Sequence, residues 1–252
     1  MRVLVVLPTY NESATIGRML RRVRECLPAA DILVVDDSSP DGTAKLALEV
    51  ADKLGRIELL SREAKEGLGP AYRAGFAWGL GRGYEAFVEM DSDFSHDPAD
   101  LPRLLAPLGQ GFEVAIGSRY VPGGSAPDWT LSRRLLSRWG NLYADLALAL
   151  GVKDSTAGFR VYAASVLERV DLGSVRADGY GFQIEMTYRA RRAGARIAEV
   201  PIRFVDRVEG TSKMSSRTVT EALWLVSLYG ARRLVERRRV RAGRRRRASP
   251  AA

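Results

Sequence analysis

The chain has 252 residues, 46% of them apolar, with a single cysteine and 39 basic against 30 acidic side chains. This is enough apolar material for one α/β domain with a buried core, which excludes wholesale disorder, and the lone Cys26 excludes an internal disulfide. The net charge of +9 is local, because residues 231–252 carry ten arginines against Glu236 while residues 1–230 are neutral.

In chain order, apolar runs predict strands near 2–7, 31–36, 57–61, 85–90 and 113–117. Amphipathic periodicity between them predicts helices near 13–27, 42–54, 69–82 and 99–108. Cys26 falls on the apolar stripe of the first helix and is expected in the core. Strict alternation of strand and helix argues for a mostly parallel sheet with right-handed crossovers. Local signals agree: Gly55 and Gly81 to Gly83 close the second and third helices, and Asp97-Pro98 opens the fourth.

The second half is less regular. A Gly/Pro-rich loop over 121–128 leads to a helix near 132–149, a short strand after Arg160, a helix near 182–192 and a strand pair at 196–200 and 202–205. A last helix begins near Thr218 and turns strongly basic. The expected division is one α/β domain over 1–217, an amphipathic, membrane-surface helix over 218–240 and a basic disordered tail over 241–252.

No apolar run reaches the ~18 to 20 residues needed to cross a bilayer, and the segment before Pro8 is too short for a signal peptide. The expectation is a cytoplasmic protein, peripheral on the inner face of the membrane. There Leu, Trp and Tyr of the last helix would enter the headgroup region beside arginines; the equal alternative is a terminal helix packed on the domain, followed by a disordered basic tail. Nucleic acid is the less favoured partner of the tail, and a basic-tailed binding module with purely structural acidic clusters remains the alternative of a different class.

Two acidic clusters carry the chemistry. Val34-Val35-Asp36-Asp37 and Glu89-Met90-Asp91-Ser92-Asp93 both end buried strands at the carboxyl edge of the sheet, where open α/β sheets bind ligands. The Asp91-x-Asp93 spacing lets an extended segment offer two carboxylates to Mg²⁺ or Mn²⁺ carried by a substrate diphosphate. Tyr10 can cover a base, while Glu12 and Asp37 can accept hydrogen bonds from base or ribose. Neither a dinucleotide-binding nor a P-loop glycine pattern is present.

Taken together, Pro8-Thr9-Tyr10-Asn11-Glu12, Asp36 to Thr43, Gly67 to Tyr72, Asp91 to His96, Gly117-Ser118-Arg119-Tyr120 and Arg207-x-x-Gly210-x-Ser212-Lys213 occur in one order. That series resembles the family 2 inverting glycosyltransferases of GT-A fold, and most closely the polyprenol (dolichol) monophosphate mannose synthases.

The resemblance implies transfer of mannose from GDP-mannose to a polyprenyl (dolichyl) phosphate, with UDP-glucose or another nucleotide sugar as the alternative donor. It implies donor contacts at Pro8, Tyr10, Glu12, Val35, Asp37, Asp91, Ser92, Asp93, Arg207 and Lys213. Metal ligands are implied at Asp91, Asp93 and Ser95, and acceptor-phosphate contacts at Arg119, Arg133 and Ser137. Asp91, Asp93 and Arg119 are the implied catalytic set. Many relatives end in membrane-spanning segments where this chain has a basic helix, which raises the expectation of a separate membrane-embedded partner. A lipid phosphate, with its second pKa near ~6, is already a nucleophile and needs no general base, so His96 is expected to serve the structure.

Overall fold

A computed structural model describes residues 1–206 and the helical backbone of 216–247, with side chains for 1–206 and 220–235. Arg207 and Lys213 lie outside the described residues.

Seven strands form one sheet. They are β1 (Val3–Thr9), β2 (Asp31–Asp36), β3 (Ile57–Ser61), β4 (Ala86–Glu89), β5 (Val114–Ser118), β6 (Arg160–Ala163) and β7 (Ile197–Pro201), ordered β3-β2-β1-β4-β6-β5-β7. All neighbours run parallel except β6, which is antiparallel to both β4 and β5. The helices are α1 (Ile16–Cys26), α2 (Thr43–Leu54), α3 (Leu68–Leu80), α4 (Leu101–Leu105), α5 (Leu131–Leu148), α6 (Ala164–Arg169), α7 (Gly179–Arg192) and α8 (Ser216–Arg247).

Both faces of the sheet are buried, as continuous apolar strands require. Leu4, Val6, Leu33 and Val35 face one core with α3, α5, α7 and α8; Val5, Leu7, Ile32 and Val34 face the other with α1, α2 and α4. Helix α3 approaches the sheet closely: a Cβ on Gly75 would stand 2.5 Å from a Val6 methyl. That contact fixes the helix so that its N-terminal end meets the carboxyl edge of β1 and β2.

Four expectations are corrected. The fourth helix is a short α-turn flanked by 3₁₀ turns over 98–100 and 106–110, because Pro102 and Pro107 withhold backbone donors. The expected strand at 202–205 is reduced to one bridge between Ser125 and Arg203. Cys26, at the last position of α1, is only half-buried. The terminal helix continues through Arg247, past residue 240. Among the described residues no helix is long and apolar enough to cross a membrane.

Candidate active site

A cleft opens at the carboxyl edge of the parallel strands. Its lining includes Pro8, Tyr10, Glu12, Asp37, Asp91, Ser92, Asp93, Ser95, Arg119 and Arg133, so ten of the residues expected at the site converge. The loops that build it are backbone-constrained: Asn11, Ser38 and Phe94 have φ of 58°, 55° and 62°, a left-handed conformation that non-glycine residues adopt rarely and often near functional sites. Three short polar contacts fix these turns. Asp36 accepts from Thr9 Oγ1 at 2.8 Å and from Ser39 N at 2.9 Å, and Ser92 Oγ donates to the Pro8 carbonyl at 3.3 Å.

At the β1 and β2 end, Asp37 is buried and accepts from Arg62 Nη1 at 2.8 Å. Burial pushes its carboxyl above the ordinary range, against the opposing pull of Arg62. Lys65 stands 4.0 Å from the centroid of Tyr10, a cation over the aromatic face. Val35 does not join the cleft. Its side chain points to the α3 side, where it packs near Gly75, because Val35 lies inside β2, under the helix, while Asp37 follows the end of the strand at the rim.

At the β4 end, Asp91 accepts from Tyr72 Oη at 3.3 Å, and the buried Asp93 accepts from Ser95 N at 3.0 Å. His96 is fully buried, stacked on Phe159 at 5.0 Å and edge-on to Phe204 at 5.6 Å. Burial pulls its imidazole down to about 4, and its Nδ1 faces the Asp91 N–H at 3.5 Å. It is therefore neutral near pH 7 and a weak base, as the structural reading of His96 anticipates. Glu89, one strand layer below, is pushed up to about 8 by burial, and the Gln183 side-chain amide donates to it.

No group of three or more His, Cys, Asp or Glu suited to a metal occurs among the described residues. Two carboxylates on one rim are instead the donor set expected for a cation that keeps waters and takes its remaining ligands from substrate phosphates.

Arg119 sits just past β5 and is almost wholly buried. Its Nε and Nη2 donate to Asp154 at 2.8 and 2.6 Å, and Nη2 also reaches Thr156 Oγ1 at 2.8 Å. The loop bearing Asp154 is itself anchored. Asn141 accepts from Ser155 N at 2.7 Å, Glu199 accepts from Asp154 N at 3.0 Å, and the buried Arg160 donates to the carbonyls of Ser155 and Ala157. Arg133, on the first turn of α5, makes two contacts to Asp206 at 3.0 and 3.1 Å.

Behind these arginines lies a second, apolar groove between α5, α7 and α8, lined by Leu136, Tyr143, Ile184, Ala222, Leu223 and Val226 among others. Ser137 lies on this groove rather than in the polar cleft. Arg119, Trp129, Arg133, Thr156 and Tyr180 line both. Helix α8 closes the groove by stacking Tyr229 on Tyr188 at 5.3 Å and donating from Tyr229 Oη to Glu185 at 2.7 Å.

Arg62, Trp129, Thr156, Asp178, Tyr180 and Gln183 also line or support the site and were not anticipated from the sequence. Trp129 carried a signal, since a large aromatic in a Gly/Pro-rich loop has no periodic core role. The others are set by tertiary contacts alone.

The family model for glycosyl transferase family 2 matches residues 4–171. An undecaprenyl-phosphate mannosyltransferase of Micrococcus luteus is 48% identical over 243 residues, covering 96% of this chain and all of that protein. A polyprenol monophosphomannose synthase of Mycolicibacterium smegmatis is 48% identical over 240 residues, covering 94% of this chain and 90% of that protein. Among solved structures, glucosyl-3-phosphoglycerate synthase from Mycobacterium tuberculosis, in complex with Mn²⁺, UDP and glucosyl-3-phosphoglycerate, superposes with a TM-score of 0.68 at 21% identity. That match covers 91% of this chain and 80% of that one.

Proposed function

Since the chain belongs to the family 2 glycosyltransferases and has the GT-A fold, we propose that it transfers mannose from GDP-mannose to a polyprenyl phosphate, with inversion, at the inner face of the membrane. The observation that carries this reading is the junction at Arg119 and Arg133, where a polar carboxylate-bearing cleft meets an apolar groove. A molecule with a phosphate head and a hydrocarbon tail matches that junction, and arginine forks suit a phosphate. The names of the two relatives support the same sugar and the same acceptor class.

Asp91 and Asp93, with Ser95 beside them, would hold Mg²⁺ or Mn²⁺, which when bound offsets the negative charge of the departing diphosphate. The Mn²⁺ in the M. tuberculosis structure supports a divalent ion in this fold. Pro8, Tyr10, Glu12, Asp37 and Ser92 would receive the nucleotide, and Arg207 and Lys213 would grip its diphosphate. Arg119, Arg133 and Ser137 would receive the acceptor phosphate. Its oxygen forms the new bond to the anomeric carbon while the bond to the nucleoside diphosphate breaks, the electron pair leaving with the diphosphate. No proton needs removal from a phosphate dianion, so the chain's task is to position two anions that repel each other.

The test is transfer of labelled sugar into an organic-extractable lipid by the purified protein with detergent-dispersed polyprenyl phosphate. Metal-dependent label from GDP-mannose, and little from UDP-glucose, is expected. Label from UDP-glucose alone changes the donor. Absence of transfer with donor binding intact points to a separate membrane-embedded partner, and absence of both overturns the proposal.

Membrane contact is supported by a stripe on α5. Leu131, Leu135, Trp139, Leu142 and Leu146 recur at helical spacing and are 69%, 57%, 54%, 57% and 72% exposed, a larger apolar run than a soluble surface normally carries. Arg134 and Arg138 flank it, and Trp224 of α8 is 68% exposed. Such a face suits burial in the headgroup region of an anionic leaflet. Because α8 contributes Val226 and Tyr229 to the packed interior, deleting it would damage the fold. The double substitution Leu135→Glu with Leu142→Glu avoids that problem. It is expected to abolish flotation with anionic vesicles while transfer in detergent stays at the wild-type level; undiminished flotation would exclude α5 as the docking face.

A further inference from the structure

The two acceptor arginines share one aromatic wall. Trp129, 6% exposed, has the Arg119 guanidinium 4.9 Å and the Arg133 guanidinium 4.2 Å from its ring centroid. Its Nε1 donates to Asp206 Oδ1 at 3.2 Å, the carboxylate that also accepts from Arg133. Phe204 meets the indole edge-on at 5.6 Å and 71°, closing the wall from the cleft side. Arg119 is anchored independently by Asp154 and Thr156, whereas among the described residues the Arg133 guanidinium is directed by Asp206 and the indole.

We infer that Trp129 is a positioning residue for acceptor use: its ring keeps the two guanidinium groups apart, yet aimed at one point, before any phosphate arrives. The inference rests on the proposed role of Arg119 and Arg133. Two like charges close together repel, and each is attracted by the negative face of an aromatic ring, so an indole touching both stabilises their joint presence. Without it Arg133, a long side chain at the cleft rim, regains rotamer freedom that the arriving phosphate must then quench. The cost should appear in acceptor binding more than in donor binding, whose Tyr10, Glu12 and Asp37 stand on the loops that follow β1 and β2.

The experiment compares Trp129→Leu, Trp129→Met and Trp129→Phe, with Arg133→Ala as reference, measuring acceptor KM, kcat, donor affinity by calorimetry and melting temperature. Trp129→Leu should raise acceptor KM by ~10-fold with donor affinity unchanged, and Trp129→Phe, which keeps an aromatic face but loses the N–H, should recover most of it. If Trp129→Leu does not fold, Trp129→Met supplies similar apolar volume without a π face. Equal acceptor KM for Phe and the aliphatic variants, or donor affinity falling in step with acceptor KM, overturns the role of the ring. If Arg133→Ala raises acceptor KM while no Trp129 variant does, this inference alone fails; if Arg133→Ala has no effect either, the acceptor reading beneath it fails.

Discussion

Asp93→Asn is expected to lower turnover by about 10²-fold or more, equivalent to ~2.7 kcal/mol of lost transition-state stabilisation. The substitution is nearly isosteric, and the asparagine carbonyl can still accept from Ser95 N, now at 3.0 Å from Asp93 Oδ1. The turn after β4 should therefore survive, and the melting temperature should stay close to wild type. What is lost is one negative charge of the Asp91 and Asp93 pair at the β4 end of the cleft. Donor affinity measured by calorimetry with Mn²⁺ or Mg²⁺ should fall, while any metal-independent component should not. Asp91→Asn should act in the same direction, with the Tyr72 hydroxyl still able to donate to the amide oxygen. Near-normal turnover in Asp93→Asn would remove the metal assignment from this pair, leaving Asp93 as a capping residue of its own turn.

Much of this site was legible because its chemistry is delivered by strand ends. An apolar run that ends in Asp37 or Asp91 states both where the strand stops and what stands at its edge, and the five strands of the first half lie close to their expected bounds. The same logic failed where placement depends on neighbours distant in sequence. β6 is four residues long and inserts antiparallel between β4 and β5, an order no local pattern encodes. Its entry is fixed by Arg160, whose guanidinium is buried against the Gln183 carbonyl and Thr187. Val35 illustrates a smaller limit. Val35 and Asp37 fall on the same face by the strand's period of two, so only the point at which β2 ends and α3 ceases to cover it separates the packed side chain from the one at the rim. Trp129 shows a third limit: its place in a loop marks it as a residue without a periodic core role, but what it does is set by the two arginines that converge on it.

The second large effect concerns Arg119. Removing it should damage two things that a single variant cannot separate. Its side chain is 4% exposed and its partner Asp154 is 0% exposed, with 2.6 Å between them. Burial alone would push the Asp154 carboxyl up, yet Arg119 outweighs that and holds it below the ordinary range. In Arg119→Ala the carboxylate is stranded, at an expected cost of ~3–5 kcal/mol, the range seen when one partner of a buried pair is removed. The sign of the pH dependence follows. Wild-type stability from Asp154 is present above its unfolded value, near ~4, and is lost only as pH falls through the lower folded value. In the variant the loss of the Arg119 charge and its side-chain bonds leaves burial opposed by the backbone N–H of residue 119 and by Arg160. The folded value is then expected to rise above the unfolded one, so the deficit is largest at neutral pH and shrinks on acidification as Asp154 takes up a proton. Denaturant melts at about pH 5 and pH 8 check this. The double substitution Arg119→Met with Asp154→Leu removes both charges and fills the space with apolar atoms. It should recover most of the lost stability, because apolar replacement of a buried pair is often neutral. It should not recover full use of the acceptor, since Arg133 is then left without the second guanidinium at the junction of cleft and groove. A stable double variant that transfers sugar as the wild type does would reduce the pair to architecture; a stable but inactive one would assign to Arg119 a role in the reaction that its part in the fold cannot explain.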